Sequence, residues 1–173
     1  MPMPAAVPAL DERLQAELYL AQWHLDRGAV HEAYRLFVQA AQSRHPTALN
    51  MLGRAYEQGW GVVRDVVLAR SLFEAAADGG EGWAFYNLAD LYLLGDGVTR
   101  DKAQAYIYYV EAARRGVSKA FNMLGLLHEE GYGAVAASYD YACHYFEAGS
   151  ACGDEAARAN LARMKQQAPR HIM

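Results

Sequence analysis

Three Gly-x-Gly loops, six histidines, two cysteines and a few carboxylates are the residues of this 173-residue chain that could support chemistry. The loops are Gly59-Trp60-Gly61, Gly95-Asp96-Gly97 and Gly131-Tyr132-Gly133. A phosphate cradle needs such glycines between a strand and a helix, with Lys-Ser/Thr following. None of the three meets that condition, and their recurrence assigns them a structural role. His24, His31, His45, His128, His144 and His171 form no His-Glu-x-x-His and no Cys/His pairing of metal-site spacing. His128 and His144 occupy places where other parts of the chain carry Tyr or Leu, which makes them packing residues. Cys143 and Cys152 lie on one predicted helix, about 13 Å apart at 1.5 Å per residue, too far to bridge. Asp90 and Glu129-Glu130 would be acid–base candidates only with raised pKa values in a cleft, and no Ser/His/Asp constellation assembles. No enzyme signal and no cofactor or metal site emerges.

Composition bounds the remaining functions. With 16 Lys and Arg against 20 Asp and Glu, the net charge is -4, which argues against nucleic acid, whose phosphates need a basic surface. No run approaches the ~20 apolar residues of a membrane helix. Pro2, Pro4 and Pro8 interrupt any apolar leader before Asp11 and Glu12, so the expectation is a cytoplasmic protein without a signal peptide. The cysteine usage fits a reducing compartment.

The elements that position these residues repeat. Ala84–Leu94 carries apolar residues at helical spacing, Gly95-Asp96-Gly97 breaks it, and Asp101 caps a second helix that Gly116 closes. Ala48, Ala84, Ala120 and Ala156 stand 36 residues apart, and so do Leu52, Leu88 and Leu124. Gly53, Ala89 and Gly125 follow the same interval, as do Tyr56, Tyr92 and His128. In the second helices, Phe73, Tyr109 and Tyr145 precede Ala76, Ala112 and Ala148. A fixed helical period of this length means a solenoid. The prediction is therefore all-α: an extended tail over 1–9, then one repeat domain over 10–168. Its units fall at about 10–45, 46–80, 82–116 and 118–152, with an amphipathic capping helix at 154–167. Pro46 starts a helix, Asp65 caps another, and Pro169 stops the last. The first unit lacks four loop residues, with Ala16 and Leu20 matching Ala48 and Leu52. In the fourth unit Ser138 substitutes for a capping Asp, Tyr141 replaces Ala69 and Ala105, and Cys152 replaces Gly116.

The shared pattern, Ala-x3-Leu-Gly/Ala-x2-Tyr/His-x2-Gly-x-Gly followed by a capped Ala-x2-Leu/aromatic-aromatic-x2-Ala, resembles the Sel-one-like repeats of the tetratricopeptide superfamily. The resemblance is strongest from Ala48 to Ala156. It implies a right-handed α/α superhelix that binds other proteins, often as an adaptor in bacterial systems. Secreted relatives often carry a disulfide in each repeat, which this chain lacks. Reading the first helices as the concave face gives Asn50, Arg54 and Glu57; Trp83, Tyr86, Asp90, Leu93 and Leu94; and Lys119, Asn122, Leu126 and Glu129 as protein-binding candidates. Trp83, Tyr86 and Leu94 have packing against the adjacent repeat as their competing role. The expected function is an interaction module holding a peptide, helix or domain of a partner protein. The alternative is an inhibitor or immunity-type protein masking one effector enzyme. The small number of units leaves room for self-association through the terminal helix.

Overall fold

The structure, a computed structural model, describes residues 6–167. The described residues form α1 (Glu12–Asp26), α2 (Val30–Ala41), α3 (Pro46–Gln58), α4 (Val66–Asp78), α5 (Gly82–Leu94), α6 (Lys102–Arg114), α7 (Lys119–Glu130), α8 (Tyr139–Ala151) and α9 (Glu155–Gln167). Each helix packs on the next in sequence, so α1/α2, α3/α4, α5/α6 and α7/α8 are antiparallel pairs. They stack into a right-handed α/α superhelix, with α9 packed on α8 and α7. Short polar side chains start five of the nine described helices. Asp11, Asp65, Asp101 and Ser138 each accept from a backbone N–H two or three residues on, and Asp154 does so for Ala157. Pro46 takes the first helical position of α3. Gly59 and Gly95 end α3 and α5 with φ of 71° and 75°, a conformation that costs a side chain energy and glycine little.

The core lies between paired helices and is built from small residues set against large ones. Ala33, Ala69, Ala105 and Ala142 are fully buried, next to the buried rings of Phe37, Phe73, Tyr109 and Phe146. Gly53 lets α3 approach α4: a Cβ built there would lie 2.6 Å from Phe73 Cε1. Gly125 does the same for α7 against the Phe146 ring, while Ala89 fills the corresponding place opposite Tyr109.

Those contacts correct the register expected for the fourth unit. Ala142, Phe146 and Gly149 occupy the inward places assigned to Tyr141, Tyr145 and Ala148, whereas Tyr141 is 61% exposed. One extra residue in the Gly131–Ser138 loop moves α8 forward, so the interval from Asp101 to Ser138 is 37 residues, by subtraction of their numbers. Tyr141 therefore needs no space in the core. The shift propagates: Ala157, not Ala156, is buried in α9, and Gly153, not Cys152, holds the left-handed place of Gly116, at φ 85° against 86°. His144, expected to pack, is exposed by the same displacement. His128 does pack, buried among Tyr106, Tyr132, Tyr141 and Tyr145. Desolvation in that cage lowers its pKa.

At the N-terminal end Leu14 and Ala21 are buried, with Leu18 and Leu25 packed beside them. Ala16 and Leu20 are exposed, unlike Ala48, because no described helix packs on that side of α1. Of the tail expected to be extended, residues 6–9 have no regular secondary structure, and the Pro8 carbonyl lies 2.8 Å from His45 Nε2. Residues 1–5, residue 168 and the expected stop at Pro169 lie outside the described residues. Cys143 and Cys152 are free thiols. No described helix is long and apolar enough to cross a membrane.

Candidate functional site: the concave groove

The first helices of successive units line one face, and a cleft of about 450 Å³ opens where three of them meet. Its walls are Gln22 and Leu25 of α1, Thr47, Asn50, Met51 and Arg54 of α3, Trp60 of the following loop, and Glu81 and Trp83 at the start of α5. Glu81 is nearly buried and fully engaged: one carboxylate oxygen accepts from Thr47 Oγ1 at 2.7 Å and the other from the Trp83 backbone N–H at 3.3 Å. Its bond to that N–H caps α5, which is how the sequence fixes Trp83 at the cleft edge. Asn50 is 4% exposed and accepts from Asn87 Nδ2 at 2.9 Å, tying the second unit to the third. The Arg54 guanidinium stands 5.4 Å from the Trp60 ring centroid, a cation–π arrangement, and its Nε is buried without a hydrogen-bond partner.

The twelve candidate residues divide by what they touch. Trp83 is 40% and Leu94 72% exposed. Tyr86 lies between Trp83 and Tyr109, at centroid distances of 5.5 Å and 5.3 Å, and packs with Leu93 into the core of the third unit. Lys119 is exposed. Asn122 accepts from Asn160 Nδ2 at 2.8 Å, and Leu126 packs with Leu161 and Met164 of α9. Glu129 receives both terminal nitrogens of Arg163 at 2.6 Å each.

That last pair defines a slot that recurs along the groove. Corrected for the inserted residue, Arg163 stands in α9 where Leu126, Asp90 and Arg54 stand in α7, α5 and α3. The equivalents of Glu129 are Leu93 and Glu57. The diagonal from one unit to the next is thus Glu57 to Asp90, then Leu93 to Leu126, then Glu129 to Arg163. Only the last is an ion pair. The Arg163 hydrogen bonds hold the Glu129 carboxyl below its usual pKa. Asp90 goes the other way, from 3.8 to about 6. Burial is the main cause and the Glu57 charge adds to it, outweighing the Arg54 charge, while a hydrogen bond from the Tyr109 hydroxyl acts in the opposite sense. Burial and the Asp90 charge also push the Tyr86 hydroxyl to about 12. Among the described residues neither Glu57 nor Asp90 has an ion-pair partner, and no cluster of His, Cys, Asp and Glu could hold a metal.

Sequence reasoning missed Trp60, Met51, Glu81 and Arg163 as parts of this face. Trp60 lay inside a loop read for its glycines. Arg163 lies on α9, to which the sequence pattern assigns only a capping role.

Comparison with known proteins fits this geometry. The Sel1 repeat model matches residues 46–81, 84–117 and 118–154. A Sel1 repeat protein from Oxalobacter formigenes is 28% identical with a TM-score of 0.78, over 87% of this chain and 62% of that one. The protective antigen c5321 of uropathogenic Escherichia coli, which has an SLR fold, aligns at 22% identity and TM-score 0.79, over 90% of this chain and 34% of its own. Immunity protein PA5088 from Pseudomonas aeruginosa aligns at 21% identity and TM-score 0.64, over 94% and 61%. The chain thus spans less than two thirds of each of these proteins, and the last two likenesses show the fold alone. No curated protein matches the chain. With three matched repeats covering more than half of its length, on helix pairs that the structure places in one stack, the chain belongs to the Sel1 repeat family.

Proposed function

We propose that this protein is an adaptor that holds a segment of one partner protein in its concave groove, with α1, α3 and α5 as the walls. Sel1 repeats are in general protein-interaction modules, built on a non-enzymatic scaffold fold. The observation that carries the reading is Trp83, an aromatic side chain 40% exposed on the edge of an open cleft. Its neighbours Tyr86 and Leu93 are packed into the core, which leaves Trp83 and Leu94 as the exposed large apolar side chains of α5. Exposed aromatic anchors beside polar groups are typical of interface hot spots. The proposal includes a cytoplasmic location, which the two unpaired thiols Cys143 and Cys152 support. Self-association, where it occurs, uses Tyr19, Leu20 and Trp23 at the N-terminal end, all exposed, and light scattering reads it directly.

The test is a pull-down from native lysate with wild type beside the Trp83→Ala/Leu94→Ala double variant, circular dichroism confirming the fold of both. A partner recovered by wild type and lost by the folded variant supports the groove. The same partner recovered by both overturns it. A second reading, masking of one effector enzyme, borrows from the name of PA5088. It predicts a single, tightly bound enzyme in the pull-down, whereas an adaptor predicts a non-enzymatic partner or several partners.

A further inference from the structure

The slot between adjacent units has three occupants in one chain, and only one of the three is electrostatically complete. At the C-terminal end Arg163 reaches across to Glu129 and makes two parallel hydrogen bonds, the geometry a guanidinium and a carboxylate favour. In the middle, Leu93 and Leu126 remove charge from the slot altogether. Between the second and third units the slot holds Glu57 and Asp90, two acids facing the same groove without a cation bridging them. The Gln58 amide donates to Glu57 at 3.2 Å, and the Tyr109 hydroxyl donates to Asp90. Arg54, whose charge acts on Asp90, forms no ion pair with either acid among the described residues and stands over Trp60 instead. Glu81, a third acid, lines the adjoining cleft with both oxygens engaged. Counting Arg54 against Glu57, Asp90 and Glu81, the local balance is acidic. Beside it stands Trp83, edge-to-face with Tyr86, its ring partly free.

We propose that the groove between the second and third units docks a basic segment of a partner protein. One arginine of that segment bridges Glu57 and Asp90 as Arg163 serves Glu129, and an adjacent apolar residue lies on Trp83. The inference rests on the groove reading above and adds to it the chemistry of the partner. An arginine suits the place better than a lysine, because its planar fork can donate to two carboxylates at once. A partner acid would instead meet three carboxylates in exchange for Arg54 alone. The raised pKa of Asp90 agrees with an acid held away from solvent, where the Glu57 charge outweighs that of Arg54.

The experiment is selection of a random 12-residue display library on the wild-type protein. The recovered peptides are then synthesised, and their affinity measured by fluorescence anisotropy for wild type and for Glu57→Gln/Asp90→Asn, Glu129→Gln, Arg54→Gln and Trp83→Ala, each checked for fold by circular dichroism. The double acid variant keeps the size of both side chains, and circular dichroism separates its loss of binding from a loss of fold. Expected are peptides with an arginine beside an apolar residue. Their affinity falls about tenfold or more in the double acid variant and in Trp83→Ala, is unchanged in Glu129→Gln, and weakens with added salt. Acidic peptides that lose binding with Arg54→Gln and keep it with the double acid variant overturn the proposal while leaving the groove reading standing. Peptides indifferent to Trp83→Ala and to the double acid variant alike overturn both.

Discussion

The two ends of the groove are built on the same backbone and differ in how far their side chains satisfy one another. In the fourth unit and α9, Glu129 is paired with Arg163, Asn122 with Asn160, and Leu126 is packed. In the second and third units the inter-unit asparagine bond recurs, as Asn50 with Asn87, but the ion pair does not. Its place is held by two acids, next to a cleft lined by an arginine with an unpartnered Nε and by two tryptophans. A repeat protein keeps its architecture through the positions that every unit shares. It acquires a binding site at positions where one unit departs from the contact its neighbours complete among themselves.

The comparison can be broken first at the core, where both ends should respond alike. Phe73→Ala and Phe146→Ala should each cost about 3–5 kcal/mol, because both rings are fully buried against a glycine of the partner helix. Chemical denaturation measures it. Markedly unequal losses would mean that the two halves differ in packing and not only in the groove.

Charge should separate the ends, with opposite signs. The folded-state pKa of Asp90 is raised, so its contribution to stability is fully present below pH 3.8 and is lost as pH rises through about 6. Asp90→Asn should therefore raise stability at pH 8 by on the order of 2 kcal/mol and change it little at pH 3. Thermal melts at the two pH values give the result. Glu129 has a lowered pKa, so its pair with Arg163 contributes above the ordinary carboxylate range and is lost as pH falls below it. Arg163→Ala should cost about 0.5–1 kcal/mol at pH 7, since both partners are partly solvated, and close to nothing at pH 2. A cost that is constant with pH would assign the loss to packing of the arginine stem.

The smallest effect is expected at the exposed edge. Leu94→Ala should leave stability within about 0.5 kcal/mol of wild type, in keeping with a side chain 72% exposed. A loss several times larger would make Leu94 a packing residue.

Most of the fold was legible from the 36-residue interval and from the caps, because solenoid cores and helix starts depend on residue type at fixed positions. The structure corrected the fourth unit, where Tyr141 and Ala142 are adjacent and a one-residue loop insertion decides which faces inward. Pattern matching kept the register of the preceding units, and packing at Gly125 against Phe146 chose the other. The groove was legible as a face but not as a site. Helical spacing placed Trp83 and Asp90 on the same side, yet only contacts across units reveal that Asn50, Asn122 and Glu129 are engaged and that Glu57 and Asp90 have no ion-pair partner among the described residues. Trp60 escaped because its flanking glycines explained the loop without reference to its side chain.

The most direct measurement is hydrogen–deuterium exchange of the protein with and without the partner recovered from lysate. A groove occupied between the second and third units predicts new protection in α3 and α5, and in the Gly59–Gly61 loop that carries Trp60, with α7 and α9 unchanged. Protection confined to α7 and α9, or to the second helices α4 and α6, would contradict the assignment of the site.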